Sequence, residues 1–522
     1  MYDLLIRNAR IVDGTGAPWF YGDLAVKDGR IAALGKLSGE ATETVDAGGL
    51  YLTPGFIDIH SHSDGALLRC PTAESRILQG VTTDVGGNCG GSVAPTGRYP
   101  SMADYLAAAE QARPSINSAT LVGHGTLREA VMGYSVQPAA PEQVEQMRGL
   151  AARAMEEGAF GISSGLIYPP GCYASAEELA EVVSAVAPYG GFYATHMRNE
   201  GRDVVRSVEE ALWVAGQAGV RLQISHHKVT HKPDWQVSCR TTVAMIARAR
   251  RQGLDVTCDQ YPYSASATSM SSNVPAWAFE GGVEAMIARL KDPDIRAKLR
   301  DESNASHLGR WGDIYVAYVQ TPENQWMVGK SIADIAGALG GKDPADTCFD
   351  IVIAENDRVG EVNFGMCEED IEYIMSQPFV MPGSDGEAMP LDAPGKPHPR
   401  NFGAFVRVLS RYSRDRGLFP LEEAVRKMTA LPASRIGLFD RGVLREGMWA
   451  DLVLLDLDRL KDDPDYQNPQ QPCSGICRVY VNGVLTALEG RHTGARAGQV
   501  LRSDAEWCFS LSRVVKLSQG KH

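Results

Sequence analysis

The sequence predicts an α/β protein built on a (β/α)8 barrel, with a small β-sandwich domain formed by its two ends and an inserted subdomain before the eighth strand. Three observations favour this fold. Short apolar strands alternate with amphipathic helices through the body, both ends are rich in strand signals, and one interval is far longer than a βα loop needs. Strands that alternate with helices favour a parallel sheet, and about 250 residues suffice for a closed barrel. The 522 residues leave room for both additions.

The barrel is expected over residues 56–435. Its candidate strands are Phe56–His62, Thr82–Gly86, Thr120–Gly123, Phe160–Ser164, Phe192–His196, Leu222–His226, Val256–Tyr261 and Phe379–Gly383. Most intervals between them show helical spacing of apolar residues. Met147, Leu150, Ala151 and Ala154, for example, recur at i, i+3, i+4 and i+7. This alternation predicts that the carboxyl ends of the strands, where barrels place their active sites, share one rim.

The two ends are expected to form one domain over residues 1–55 and 436–522. Asp28-Gly29 and Asn482-Gly483 are hairpin signals between strand-like runs. The interval before the eighth strand contains helical patterns of its own across residues 283–348. Because a structureless loop of that length is improbable in a compact domain, an inserted subdomain is the better interpretation.

Composition narrows the class of partner. The net charge of −13 disfavours nucleic acid or an anionic membrane, since either would favour a basic face. The ten cysteines include no CxxC pair, and the chain shows neither a signal peptide nor a run of 18 apolar residues. We therefore expect a cytoplasmic protein that acts on a small molecule. The oligomeric state stays open.

Two histidines mark the end of the first strand. In Phe56-Ile-Asp-Ile-His60-Ser-His62, the imidazoles are one residue apart, so they point to the same side of a strand. At the carboxyl end of a barrel strand, such a pair suits a metal ion, because imidazole is a common zinc ligand.

Three further residues end later strands. His196 ends the fifth strand, His226 ends the sixth, and Asp385 follows the eighth in a glycine-flanked turn. In a closed barrel these ends converge on the first strand. A carboxylate beside a metal-activated water is the expected general base, which makes Asp385 a candidate for that role.

Together these residues resemble the amidohydrolase superfamily, and one departure from its relatives is informative. Dihydroorotases and hydantoinases place a carboxylated lysine on the fourth strand, whereas Phe160-Gly-Ile-Ser-Ser-Gly-Leu contains none. The second strand instead leads to Cys89 in a glycine-rich turn. A thiolate there is a soft ligand that zinc accepts, so Cys89 with two histidines would make a catalytic zinc site with one open position.

This combination is similar to the D-aminoacylase (N-acyl-D-amino-acid deacylase) family. Seven motifs in order carry the resemblance: Gly86-Gly-Asn-Cys89-Gly, Gly165-Leu-Ile-Tyr168-Pro-Pro-Gly171, Ala194-Thr-His196-Met-Arg198, Ser225-His226-His-Lys228, Asp259-Gln-Tyr261-Pro-Tyr263, Gly383-Ser-Asp385-Gly and His398-Pro-Arg400. The resemblance implies that Cys89, His196 and His226 hold a tightly bound zinc ion. It also implies that His60 and His62, with Asp385, border a second, weaker metal position.

The resemblance further implies hydrolysis of N-acyl-D-amino acids to a carboxylate and a free D-amino acid. Lys228, Tyr263 and Arg400 would grip the substrate carboxylate, and Tyr168 would donate to the developing oxyanion. The segment 264–279 contains no Arg or Lys. This favours a neutral or hydrophobic amino-acid side chain over an acidic one. The preference for D stereochemistry comes from the resemblance alone.

Two alternatives stay open at this point. A cyclic-amide hydrolase of the hydantoinase or dihydroorotase type would share the fold, although the missing fourth-strand lysine counts against it. A non-catalytic scaffold would also share the fold, but it would have no need of the complete ligand set that this chain carries.

Overall fold

The structure, a computed structural model, describes residues 1–503. The part of the predicted terminal domain at 504–522 lies outside the described residues. Within residues 1–503, no helix combines the length and the apolar character needed to cross a bilayer.

The body of the described chain is a barrel of parallel strands, as the sequence predicts. In order, its strands are Phe56–Asp58, Val81–Gly86, a third strand in two parts (Asn117–Thr120 and Val122–Gly123), Gly161–Gly165, Phe192–His196, Arg221–Ile224, Val256–Gln260 and Val380–Pro382. Helices between them are Ser63–Leu67, Glu74–Ile77, Met102–Ala112, His124–Met132, Pro141–Glu156, Ala176–Ser184, Val204–Ala218, Ser238–Arg251 and Glu368–Met375. After the eighth strand come Arg400–Arg407, Leu421–Met428 and Ala430–Ile436.

The barrel closes between its first and eighth strands at the carboxyl rim. The amide of Asp385 donates to the carbonyl of His60 at 2.8 Å, and the amide of His62 donates to Gly386 at 2.7 Å. A parallel bridge joins Ser61 to Gly386 between these two bonds. Closure therefore fixes the His60–His62 pair beside Asp385 through backbone hydrogen bonds.

The two ends of the described chain pair into one nine-stranded sheet. Its strands are Tyr2–Ile11, Phe20–Lys27, Arg30–Gly35, Ala41–Asp46, Tyr51–Pro54, Leu452–Leu455, Ile476–Val481, Val484–Leu488 and Arg491–His492. The joint is the antiparallel pairing of Tyr51–Pro54 with Leu452–Leu455. One face of the sheet buries a core that includes Leu4, Ile6 and Leu452.

The insertion before the eighth strand has its own core and sheet. Its antiparallel strands are Ser266–Ser269, Ile314–Tyr318 and Gly360–Asn363, and its helices are Val283–Lys291, Pro293–His307, Ile332–Ala338 and Pro344–Ala354. Buried residues from Met270 to Val359 form one cluster inside it. The segment that packs around this core is thus wider than the range 283–348 that carries the helical patterns.

Candidate active site

Six side chains meet at the carboxyl rim of the barrel. The Cys89 sulfur lies 3.3 Å from Nε2 of His60 and 3.4 Å from Nε2 of His226. The potential ligand atoms form two sets, within each of which all atoms lie within 4.8 Å of one another: Cys89, His196 and His226, and His60, His62, Cys89 and Asp385. Cys89 belongs to both sets, so its sulfur is the potential ligand that the two sets share.

The backbone at three of these residues is left-handed. Cys89 has φ 52°, His226 has φ 33° and Asp385 has φ 52°. Non-glycine residues adopt this region at a cost, and such conformations cluster at functional sites. Each of the three follows a barrel strand, where a sharp change of chain direction aims the side chain back across the rim.

Two buried carboxylates orient the histidines from behind. Asp259 contacts Nδ1 of His60 at 2.9 Å, and Glu200 contacts Nδ1 of His226 at 2.9 Å. A proton on each Nδ1 would leave the Nε2 atoms, which face Cys89, free to bind a metal. Lys228 lies 2.7 Å from Glu200. Burial raises the pKa of Glu200, but the charges of Lys228, His196 and His226 together hold it below its usual value.

Asp385 is held by both of its oxygens. Oδ1 lies 3.3 Å from Nε2 of His60 and 3.0 Å from Nε2 of His62, while Oδ2 accepts from Arg400 at 2.7 Å. Burial raises the pKa of Asp385, but the charge of Arg400 and the nearby histidines lower it further, so the net shift is well below the ordinary value. The carboxylate is therefore ionised and fixed in orientation.

The Cys89, His196 and His226 set fits a zinc ion. Burial raises the pKa of Cys89, but the charges of His60 and His226 bring it well below its ordinary value, which favours the thiolate that metals bind. Neither ring nitrogen of the buried His196 makes a hydrogen bond among the described residues, and its Nε2 lies 3.5 Å from Glu200. Buried polar atoms are usually satisfied, so an imidazole without a hydrogen bond beside a thiolate and a second imidazole is what a metal ligand would leave.

A cavity of about 550 Å³ opens onto this cluster, with Cys89, Asp385 and Arg400 in its lining. Tyr168 lines the same cavity, and its hydroxyl lies 3.0 Å from Oγ1 of Thr268 in the insertion. Burial and the neighbouring Cys89 thiolate raise the pKa of Tyr168. The phenol therefore stays protonated and is able to donate.

Comparison with known proteins agrees with this geometry. The amidohydrolase family model matches residues 43–487. A D-aminoacylase from Alcaligenes xylosoxydans xylosoxydans is 38% identical over 97% of this chain and 98% of its own length. The chain belongs to the amidohydrolase family.

Solved structures show that this amidohydrolase is also similar to known deacylases in three dimensions. A crystal structure of D-aminoacylase matches with a TM-score of 0.83 and 35% identity, covering 96% of this chain and 100% of the other. N-acyl-D-glutamate deacylase from Bordetella bronchiseptica, complexed with zinc and a phosphonate inhibitor, matches with a TM-score of 0.82 and 35% identity over 96% and 99% of the two chains. The similarity therefore spans the terminal sheet, the barrel and the insertion.

The amidohydrolase site brings together most of the residues that the sequence singles out. His60, His62, Cys89, His196, His226 and Asp385 form the cluster, and Tyr168 and Arg400 face the cavity. In the described part of the chain, the cavity lining includes neither Lys228 nor Tyr263. Lys228 is buried against Glu200, and the Tyr263 ring packs under Arg407 with its hydroxyl 3.5 Å from the carbonyl of Pro399.

The sequence motifs do not by themselves assign a function to three residues of the amidohydrolase site. Glu200 and Asp259 orient ligands from behind, and Tyr261 places its ring 5.0 Å from the Arg400 guanidinium and 5.5 Å from the Lys228 ammonium. A signal for Glu200 exists, since it lies four residues after His196, just beyond the motif Ala194–Arg198. Asp259 and Tyr261 also lie in the motif Asp259–Tyr263, where strand alternation places them on the side facing the barrel axis.

Proposed function

We propose that this chain hydrolyses N-acyl-D-amino acids to a carboxylate and a free D-amino acid. The observation that carries the proposal is the Cys89 sulfur between two histidine sets, with the ionised Asp385 beside it and a cavity in front. Full-length similarity to deacylases of N-acyl-D-amino acids supports the substrate class. Zinc is the proposed cofactor, with one tight position at Cys89, His196 and His226 and a second, weaker one at His60, His62 and Asp385.

When bound, zinc supplies Lewis acidity toward water and the acyl carbonyl. Asp385 accepts the proton of the attacking water at a carboxylate oxygen, which its ionised state allows. Its contacts with His62 and Arg400 keep that carboxylate in one orientation while the water attacks. The protonated Tyr168 donates to the oxygen on which negative charge develops. Asp385 then returns its proton to the leaving nitrogen.

Arg400 is the proposed contact for the substrate carboxylate. Its guanidinium lines the cavity and already binds Asp385 and the carbonyl of Ala267 at 3.0 Å. A guanidinium presents five donors in a planar fork, so it can hold a second carboxylate beside the first. Lys228 supports the site from behind, where its ammonium group contacts Glu200 and Nδ1 of His226.

The proposed side-chain compartment is a second cavity of about 500 Å³ on the far side of Tyr168, lined by residues of the segment 264–279. Its ionisable lining other than tyrosine consists of Glu302, His307 and Asp357, and the lining residues that the structure describes include no Lys or Arg. A carboxylate side chain would meet two acids there and no fixed cation. We therefore expect a neutral or hydrophobic D-amino acid.

The test is a substrate panel with the zinc-loaded protein. We expect turnover of N-acetyl-D-leucine and N-acetyl-D-methionine, with weak turnover of N-acetyl-D-glutamate and of the L isomers. Faster turnover of N-acetyl-D-glutamate would refute the side-chain assignment alone. Hydrolysis of a hydantoin in place of all N-acyl amino acids would replace the proposal with a cyclic-amide hydrolase.

A further inference from the structure

The loop that carries Tyr168 lies directly on the metal-binding turn. We call residues 165–174 the Tyr168 loop. A Cβ atom at Gly165 would lie 2.0 Å from the carbonyl oxygen of Cys89, so the two backbones touch and only glycine fits. The next amide, of Leu166, donates to the carbonyl of His196 at 3.0 Å. The start of the loop is therefore fixed to two metal-ligand residues, but the start alone does not determine where the Tyr168 hydroxyl lies.

Arg198 holds the far end of the Tyr168 loop. Its Nη1 donates to the carbonyl of Cys172 at 2.8 Å, and its Nη2 donates to the carbonyl of Ala174 at 2.9 Å. Glu210 accepts from the same guanidinium with both oxygens, at 2.8 to 3.1 Å. Such a bidentate pair fixes the plane of the guanidinium, so its remaining donors are aimed at the loop.

Arg128, on the helix His124–Met132, contacts the middle of the loop. It is fully buried, donates to Glu178 at 3.0 Å and reaches the carbonyl of Pro170 at 3.4 Å. His124, which follows the third strand, lies 3.4 Å from the same Glu178. The histidine at this rim thus belongs to the support of the loop rather than to the metal cluster.

The insertion contacts the loop from the opposite side. The Tyr168 hydroxyl meets Thr268 at 3.0 Å, and the Tyr173 hydroxyl donates to the carbonyl of Ala276 at 2.6 Å. These contacts join the loop to a separate subdomain. A catalytic donor must be placed to within a few tenths of an ångström of a position about 2.7–3.1 Å from the developing oxyanion, so the contacts on the barrel side matter for the chemistry as well as those to the insertion.

We propose that Arg198, paired with Glu210, and Arg128, paired with Glu178, are positioning residues that place the Tyr168 hydroxyl over the reacting carbonyl. The proposal rests on the function proposed above. It assigns a role to two motif residues that have none in zinc binding or proton transfer. These are Arg198, at the end of the motif Ala194–Arg198, and Pro170, near the end of the motif Gly165–Gly171. The two arginines together donate to three carbonyls of one loop, at Pro170, Cys172 and Ala174.

A double-mutant cycle on the full-length zinc enzyme tests this role. We expect Tyr168→Phe to lower kcat about 10²-fold, the usual effect of losing one oxyanion donor. Arg198→Met should lower kcat about 10-fold, since displacement of a catalytic group by less than 1 Å is enough for such a loss. The combined variant should have the kcat of Tyr168→Phe alone. KM should stay constant, because the hydroxyl acts on charge that develops in the transition state.

Zinc content is measured in every variant, because Arg198 stands two residues from His196. Arg296→Met is the matched control: this arginine also bridges acids and a backbone carbonyl, but within the insertion and away from the cluster. We expect it to lower Tm with kcat unchanged. If Arg198→Met does not fold, Glu210→Gln weakens the same clamp and takes its place in the cycle.

Three outcomes would overturn the proposal. Multiplicative losses in the combined variant would show that Arg198 acts apart from Tyr168. Loss of zinc in Arg198→Met would show that it acts through the metal site. Unchanged kcat in Tyr168→Phe would remove the role of Tyr168 itself, while the hydrolysis proposed above would still stand on the substrate panel.

Discussion

At the scale of residues, the site depends on a few side chains that leave their strands in left-handed conformations. Cys89, His226 and Asp385 share this backbone state, and each contacts another member of the cluster within 3.5 Å. The same turns that bring the ligands together also hold them rigidly. Substitutions at these positions should therefore change chemistry or metal content more than they change the fold.

Asp385 provides the most direct test of the proton-transfer step. Asp385→Asn keeps the shape of the side chain but removes the base, so we expect kcat to fall about 10²- to 10⁴-fold. Zinc at the Cys89 position should remain, as measured by metal analysis. Glu387→Gln is the control, because Glu387 lines the same cavity two residues away. Ordinary assay scatter is about twofold. A kcat for Asp385→Asn that differs from wild type by no more than about this factor would exclude Asp385 as the base.

Asp259 tests the support behind the second metal position. Its carboxylate contacts Nδ1 of His60 at 2.9 Å and accepts from the amide of His226 at 2.7 Å. We expect Asp259→Asn to weaken zinc affinity at the His60 position about 10- to 100-fold, as loss of such partners usually does. Competition titration with a zinc chelator measures it. Asp255→Asn, at the opposite end of the same strand, should leave the affinity unchanged.

Sequence patterns identify the candidate metal ligands but not every residue that surrounds them. His60, Cys89 and Asp385 end strands in recognisable motifs, and a closed barrel dictates that those ends meet. Tyr261 and Tyr263 show the limit: one motif offers both, and Pro262 between them ends the regular alternation. In the structure Tyr261 faces the cluster and Tyr263 packs against Arg407. Only packing beyond the strand decides which tyrosine faces the site.

At the scale of elements, the barrel strands follow from local sequence, whereas the limits of the insertion do not. The barrel strands are apolar runs that end in polar residues, so their positions can be predicted one at a time. The insertion begins with Ser266–Ser269, which pairs antiparallel with Gly360–Asn363 near its other end. Such a pairing joins segments that are far apart in the chain, and no local pattern in either strand predicts it.

Glu361 makes the stability of the insertion depend on pH. Burial raises its pKa to about 8, and the amide of Asn273 is its hydrogen-bond partner. The folded chain therefore holds a proton on Glu361 up to about pH 8, whereas the unfolded chain releases it near pH 4.5. This contribution to stability is complete below pH 4.5 and is lost as the pH rises toward 8. Glu361→Gln, which stays neutral, should raise Tm relative to wild type by an amount that grows over this range.

Glu355 supplies a control of opposite sign in the same insertion. Burial raises its pKa, but hydrogen bonds from Thr321 and Asn324 bring the net value below the usual one. Its ionised form is therefore stabilising, and Glu355→Gln should lower Tm above about pH 4.5, with a loss that shrinks as the pH falls below that value. Thermal unfolding of Glu361→Gln between pH 4.5 and 8, and of Glu355→Gln above and below pH 4.5, checks the signs. A Tm difference for Glu361→Gln that does not change with pH would contradict the assignment.

At the scale of the whole molecule, the buried Asp451 joins the terminal sheet to the barrel. Arg441 contacts Asp451 at 2.5 Å, and Asp451 also accepts from Asn117 of the third barrel strand and from the amide of Asn482. The pairing of the two chain ends follows from their strand-rich composition. This docking on the barrel does not, because it depends on residues hundreds of positions apart.

Removal of Asp451 should destabilise the whole molecule. Asp451→Ala leaves the Arg441 charge buried without its partner, which typically costs about 3–5 kcal/mol. Asp440→Ala removes the other acid near Arg441, a half-exposed one at 3.4 Å, and should cost less than about 1 kcal/mol. Denaturant unfolding measures both variants. Equal losses of unfolding free energy in the two variants would show that Asp451 does not link the terminal sheet to the barrel.

The zinc content of Cys89→Ala tests most directly whether one sulfur links the two ligand sets. We expect wild-type protein to keep at least one zinc ion per chain through dialysis against a weak chelator, and His62→Ala to keep it as well. Cys89→Ala, which removes the ligand common to both sets, should lose its zinc. Zinc retained by Cys89→Ala at the wild-type level would contradict the proposed metal centre.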